Sequence, residues 1–245
     1  WLSLYASDFQ DGNVVYERPA VQATIRQMLH QCLQEDPWTC FGIDMILGAE
    51  IDEPVDKRIQ MFLPDFFRQE ASEAYIVRKD GSRIPYIFTT NDIIQETLKR
   101  EKASFLISPI LIFSLLLLIT IFLFVYEFIR NKRQEWFDII LHALQGMAGI
   151  VVAFLFFFSS HPAVDSNWLI IILNPLALFY AGWMIYCARK RKRNILSYVN
   201  MAVLFCFLII MLTCPQAFNT AMYLLVLALF VRALSQRHFT YHKKR

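Results

Sequence analysis

The chain has 245 residues, 56% of them hydrophobic, with 22 Phe, only 7 Gly and a formal net charge of +3. That mean conceals two unlike halves: residues 1–104 hold eleven Lys and Arg against seventeen Asp and Glu, whereas residues 105–245 hold thirteen against four. The basic charges flank long apolar runs instead of lining one soluble face, which excludes a nucleic-acid surface and points to two domains in separate environments.

No initiator Met, basic leader or signal-peptide core precedes Trp1. With the N-terminal half placed outside by its charge, the chain reads as the C-terminal piece of a longer exported precursor, the alternative being that the first span alone drives export of the segment before it. Asp11-Gly12-Asn13 reads as a turn and Val14 to Tyr16 as a short extended piece. Pro19 opens a helix expected over Val21 to Leu33, which Asp36-Pro37 breaks. A second helix is expected from Trp38 to Leu47, stopping at Gly48, and Ala49 to Val55 forms an acidic link. Asp56 to Phe62 reads as helical, and Pro64 suits the first turn of a helix over Asp65 to Tyr75. Alternation around Asp80-Gly81 predicts a β-hairpin across residues 75–87, with Pro85 marking an edge strand. Asn91 is placed to cap a helix that starts at Asp92 and runs toward the membrane.

Five apolar stretches follow, at residues 105–126, 137–158, 167–187, 195–213 and 217–234. Each approaches the roughly twenty residues that a helix needs to cross about 30 Å of hydrocarbon. All thirteen Lys and Arg of this half fall in three clusters, 130–133, 189–193 and 232–245. The intervening loops, Ser159 to Asn167 and Cys214 to Gln216, hold none. Positive side chains resist transfer across a bilayer, so the clusters define the cytoplasmic side. The fold class expected is an α-helical integral membrane protein. Five transmembrane helices, residues 105–245, follow a small, mainly α extracytoplasmic segment with one β-hairpin, residues 1–104. The same pattern places the N-terminal half outside the cytoplasm and the C-terminus inside it.

Several residues invite chemistry. His161, Asp165 and Asn167 gather in one loop at the membrane edge, where a His transfers protons and an Asp orients it, or where the loop simply joins two helices. Asn174-Pro175 lies inside the third stretch; Pro175 removes a helical hydrogen bond and predicts a bend. Asn174 either faces a lipid carbonyl or satisfies the backbone freed by the bend. Cys214 is level with His161 and invites a thioester, against the plainer reading of a small residue before a helix stop. His142 and Gln145, with Ala143, Gly146 and Gly149, read as a packing face between helices. Glu53, Asp56, Asp65 and Glu70 read as a solvated acidic face, and Cys32 and Cys40 as unpaired core thiols or a disulfide. No phosphate loop, metal-ligand spacing or Gly-x-Ser-x-Gly elbow is present, so neither cofactor nor metal is expected.

The order of several short motifs is more telling than any one of them. They run Asp11-Gly12-Asn13-Val14-Val15-Tyr16, Pro37-Trp38, Phe41 to Gly48, Met61-Phe62-Leu63-Pro64, His161-Pro162, Asn167, Asn174-Pro175-Leu176, Gln216 and Arg232. In this combination the chain resembles the Bacteroidota-type lipoprotein N-acyltransferase family, Lnb. The resemblance implies an exported catalytic domain followed by five spans, set in a bacterial inner membrane with the N-terminal half periplasmic and the C-terminus cytoplasmic. It also implies transfer of an acyl chain from a membrane phospholipid to the free α-amino group of a diacylated lipoprotein's N-terminal cysteine, through a thiol nucleophile and a His base. Neither Cys32 nor Cys40 matches the nucleophile's motif, so no catalytic residue is carried over. His161, Asp165, Asn167 and Asn174 remain as candidates for facing substrate or lipid. The alternative expectation is a non-enzymatic membrane-anchored module for binding or assembly.

Overall fold

A computed structural model describes residues 12–15, 23–89 and 108–238. The expected Asp11 turn position, the helix from Asp92 and the last seven residues of the C-terminal basic cluster lie outside them. In chain order come strand β1 (Gly12–Val15), helices α1 (Ile25–Cys32) and α2 (Pro37–Ile46), a 3-10 turn (Ala49–Asp52), α3 (Lys57–Gln60), α4 (Pro64–Glu73), β2 (Tyr75–Arg78) and β3 (Arg83–Pro85). Then follow α5 (Pro109–Arg130), α6 (Glu135–Phe158), α7 (Pro162–Asp165), a second 3-10 turn (Trp168–Ile171), α8 (Leu176–Lys190), α9 (Leu196–Thr213) and α10 (Thr220–His238). They form two compact units: the described parts of residues 1–28 and 53–101, and residues 29–52 with the described parts of 102–245.

In the first unit the expected hairpin forms and gains a third strand. β2 pairs antiparallel with β1 (Val15 opposite Tyr75) and with β3 (Tyr75 opposite Pro85). The turn is closed by Gly81, whose φ of +82° suits a residue without Cβ. Asp80 accepts from the Ser82 amide at 2.9 Å and from its hydroxyl at 2.6 Å, which holds the carboxyl below its ordinary value. Pro85 occupies an edge strand, where its missing N–H leaves no ladder position empty. α4 begins at Pro64 as its fixed φ favours, while Glu70 is buried and so does not belong to a solvated acidic face.

The second unit is helical and apolar. α10 packs along α5, α6 along α8, and α9 along α10. Their shared core runs through Leu141, Val152, Leu173, Leu204, Phe207, Val226 and Leu229. Outward-facing Phe122, Phe157, Phe179 and Leu212 are all at least 67% exposed, an arrangement that water penalises and hydrocarbon solvates. Among the described residues four helical stretches are long and apolar enough to cross a membrane: Pro109–Arg130, Glu135–Phe158, Ala163–Lys190 and Leu196–Thr213. Thr220–Gln236 is a shorter apolar helix. α10 has 19 residues, and that length rises roughly 28 Å, close to the hydrocarbon thickness. This is an integral membrane protein.

The third stretch departs from expectation. Pro175 does not bend a continuous helix; the chain makes a 3-10 turn at Trp168–Ile171, breaks, and restarts as α8. Asn174 makes the break possible. Its Nδ2 donates to the carbonyls of Ile170 (3.2 Å) and Ile171 (2.7 Å), and its Oδ1 accepts from the Leu176 amide (3.0 Å). Broken helix inside a bilayer requires such internal partners. α6 meets this break through its small residues. A Cβ on Gly149 would lie 2.4 Å from the Asn174 nitrogen, and one on Gly146 would lie 2.6 Å from the Leu178 nitrogen. The packing reading of that face stands.

Candidate functional site

The polar loops at one end of the bundle grip the segment 29–52. The grip starts from α2, where Asp36 caps the helix by accepting from the Thr39 amide at 3.2 Å and Pro37 occupies the first turn. The helix ends at Ile46, and the carbonyls of Met45, Ile46 and Leu47 lose their intrahelical partners. Asn167, 2% exposed, supplies them: its Nδ2 donates to Met45 O (2.9 Å) and Ile46 O (3.0 Å). Gln216, also buried, donates to Leu47 O (3.3 Å) and to Asn167 Oδ1 (3.2 Å), while its Oε1 accepts from the Trp168 amide (2.8 Å).

The neighbouring backbone completes the clamp. Gly48 N donates to Ala163 O at 2.7 Å, and Glu50 N donates to Ser166 Oγ at 3.1 Å. Gly48 is the close-approach point, since an added Cβ would stand 2.5 Å from the Ser166 carbonyl carbon. Asp52 accepts from Ala217 N (3.0 Å), and Asn219 Nδ2 donates to Asp44 (2.8 Å). Two loops about fifty residues apart in sequence thus hold one helix end.

At the other end of the bundle lies a buried charge cluster. Arg232 is 0% exposed. Its Nε donates to Asp138 (2.6 Å) and its two terminal nitrogens to Glu127 (3.1 and 2.9 Å), a bidentate pair. Ser235 also donates to Glu127, as does the Gln134 amide at 2.7 Å. A polar chain continues inward: His142 bonds Gln145 (2.7 Å), Gln145 donates to Ile172 O (2.7 Å), and Tyr180 donates to Gln236 (2.5 Å) and accepts from Asn194 (3.1 Å). His142 and Tyr180 meet edge to face at 4.8 Å. The chain so links α5, α6, α8 and α10. Arg232, counted from sequence in the basic cluster at residues 232–245, is buried here as an internal tie.

The sequence of the membrane unit matches the Lnb transmembrane domain over residues 100–244. No curated protein and no solved structure matches the chain.

The chain belongs to the Lnb family.

Within this Lnb domain the four sequence candidates do not converge on one point. His161 caps α7, its Nδ1 accepting from Ala163 N at 3.3 Å, and its own amide donates to Ser159 Oγ at 3.1 Å. Asp165 is exposed, Asn167 is committed to the clamp, and Asn174 to the break in the third span. Cys214 Sγ points to Gln216 O at 3.8 Å. The five cysteines are free, and Cys32 is exposed, not part of a core. Among the described residues, His30, Cys40 and Asp44 bring metal-binding atoms within 4.8 Å of one another. Both Asp44 oxygens already have donors, His30 Nε2 and Asn219 Nδ2, each at 2.8 Å, so the group closes on itself through hydrogen bonds. Local sequence gave no sign of the clamp's partners, because Asn167 and Met45 are 122 residues apart. Arg232 did leave a signal: it is a lone cation in an apolar run, while Glu127 and Asp138 stand at the ends of two others.

Proposed function

We propose that this Lnb domain is the membrane part of a lipoprotein N-acyltransferase, which moves an acyl chain from a membrane phospholipid to the α-amino group of a diacylated lipoprotein's N-terminal cysteine. The observation that carries the reading is the Lnb-domain match over 100–244, joined to a clamp that fixes a non-membrane segment at the ends of the spans. Donor and acceptor tails both stay in a leaflet, so the reacting groups meet only near its surface. Holding a reaction site at that height replaces a three-dimensional search by positioned encounter.

The chemistry follows the family resemblance. A thiolate attacks the phospholipid ester carbonyl, a His takes the thiol proton, and the lysolipid alkoxide leaves with a proton. The lipoprotein amine then attacks the thioester, and the thiol is released. Neither Cys32 nor Cys40 matches that nucleophile's motif, and the role proposed for this domain is positioning. In this reading the domain sits in a bacterial inner membrane, with the loops at 159–167 and 214–219 on the extracytoplasmic face.

The test is complementation. The full parent gene, expressed in a strain whose lipoproteins stay diacylated, should convert them to the triacylated form in lipopeptide mass spectra. Lipopeptides that remain diacylated despite confirmed expression would overturn the proposal.

A further inference from the structure

α8 and α9 form a hairpin that opens outward into a groove of about 760 Å³, within the roughly 300–1,000 Å³ typical of small-ligand pockets. Phe179, Trp183, Val199 and Val203 give it apolar walls. Gln145 and Asn174 also line it, but both already bond to protein. Asn200 differs. Its side chain lines the groove, and its Nδ2 is buried with no hydrogen-bond partner. A buried amide donor of this kind calls for an acceptor.

The groove ends at the basic turn between the two helices. Five consecutive cations, Arg189 to Arg193, span the last residues of α8 and that turn, and residues 168–216 contain no Asp or Glu. Lys192 donates to the hydroxyl of Tyr186, a groove residue, at 2.9 Å; that bond holds its ammonium above the ordinary Lys value and thus charged. Arg193 donates to Tyr198. Asn200 lies one helical turn along α9 from Leu196, roughly 6 Å. The order from turn to groove is therefore cations, then an unpaired amide donor, then an apolar trough. A glycerophospholipid has the same order: phosphate, ester carbonyl, acyl chain.

We infer that the α8–α9 groove binds one anionic phospholipid, its phosphate at Lys192 and Arg193, an ester carbonyl on Asn200 and one acyl chain along Trp183, Val199 and Val203. This site goes beyond the proposed reaction. Its phosphate end lies at the basic turn, whereas the clamp lies at the other end of the bundle.

Native mass spectrometry of the full-length protein in detergent, titrated with phosphatidylglycerol or phosphatidylcholine, tests it. Wild type should retain one phosphatidylglycerol per chain in preference to phosphatidylcholine. Gly182 offers a clean block, because nothing lies within 4 Å of a Cβ added there. Gly182→Trp should abolish the retained lipid while leaving the melting temperature unchanged; if it misfolds, Val199→Trp supplies the same block from the facing helix. Lys192→Gln and Arg193→Gln should each weaken phosphatidylglycerol about fivefold and leave phosphatidylcholine unaffected. Equal retention of phosphatidylglycerol by wild type and a folded blocked variant would overturn the site, and equal binding of the two lipids would overturn its anionic preference. A stable dimer that Gly182→Trp disrupts would assign the groove to a second copy of the chain and also overturn it.

Discussion

Arg232→Met should be among the most damaging single substitutions in the membrane domain. It leaves Glu127 and Asp138, both fully buried, without their shared cation. Breaking a buried ion pair by removing one partner costs about 3–5 kcal/mol, because the remaining charges are closed off from water. Glu127 loses its cation outright, and Asp138 keeps only the longer contact to Arg133 at 3.8 Å. Total stabilities of about 5–15 kcal/mol make that a large fraction. The expected readout is a strong fall in the melting temperature and in the monodisperse yield in detergent. The triple variant Glu127→Met, Asp138→Leu, Arg232→Met should recover most of the loss, since apolar side chains of similar volume replace such clusters at little cost. A single variant as stable as wild type, or a triple variant no better than the single, would contradict the assignment of Arg232 as an internal tie.

Asn167→Leu should release the clamp without unfolding the spans. The substitution strands the carbonyls of Met45 and Ile46 and the amide of Leu169, and takes an acceptor from Gln216. Each buried polar group left unpaired costs about 1–3 kcal/mol. Hydrogen exchange across residues 41–52 should accelerate by orders of magnitude while α5 and α10 remain protected, and lipoprotein conversion by the full-length protein should fall with it. Asp165→Ala, at an exposed position in the same loop, should change stability by no more than about 0.5 kcal/mol. If Asn167→Leu and Asp165→Ala behave alike, the clamp carries no weight.

These two cases also mark what could be read from the chain. Apolar length and the distribution of Lys and Arg located the spans, because burial in hydrocarbon acts on every residue of a local run. Asp80-Gly81 announced the hairpin for an equally local reason: the turn needs a positive φ at Gly81. The break at Asn174-Pro175 was legible as an irregularity but not as a full interruption. That outcome depends on an amide cap and on α6 glycines that let the broken segment come within van der Waals range. The inclusion of residues 29–52 in the helical unit was not legible at all. It rests on Asn167 and Gln216, far away in sequence, and no periodicity encodes such a pairing. The burial of Arg232 was legible only in part, because a cation near the end of an apolar run has two physical uses, as a solvated charge or as a buried partner for carboxylates, and the packing of α5 and α6 around it decides.

The proposed arrangement rests on the loops at 159–167 and 214–219 lying across the bilayer from the basic turns. In a full-length protein freed of its native cysteines, Asp165→Cys and Lys190→Cys place one thiol at each end of the bundle, both at exposed positions. A membrane-impermeant maleimide added to intact spheroplasts should label the thiol at 165 and reach the one at 190 only after lysis. Labelling at 190 but not 165 in intact spheroplasts would invert the orientation, and equal labelling of both would contradict a membrane domain built on these spans.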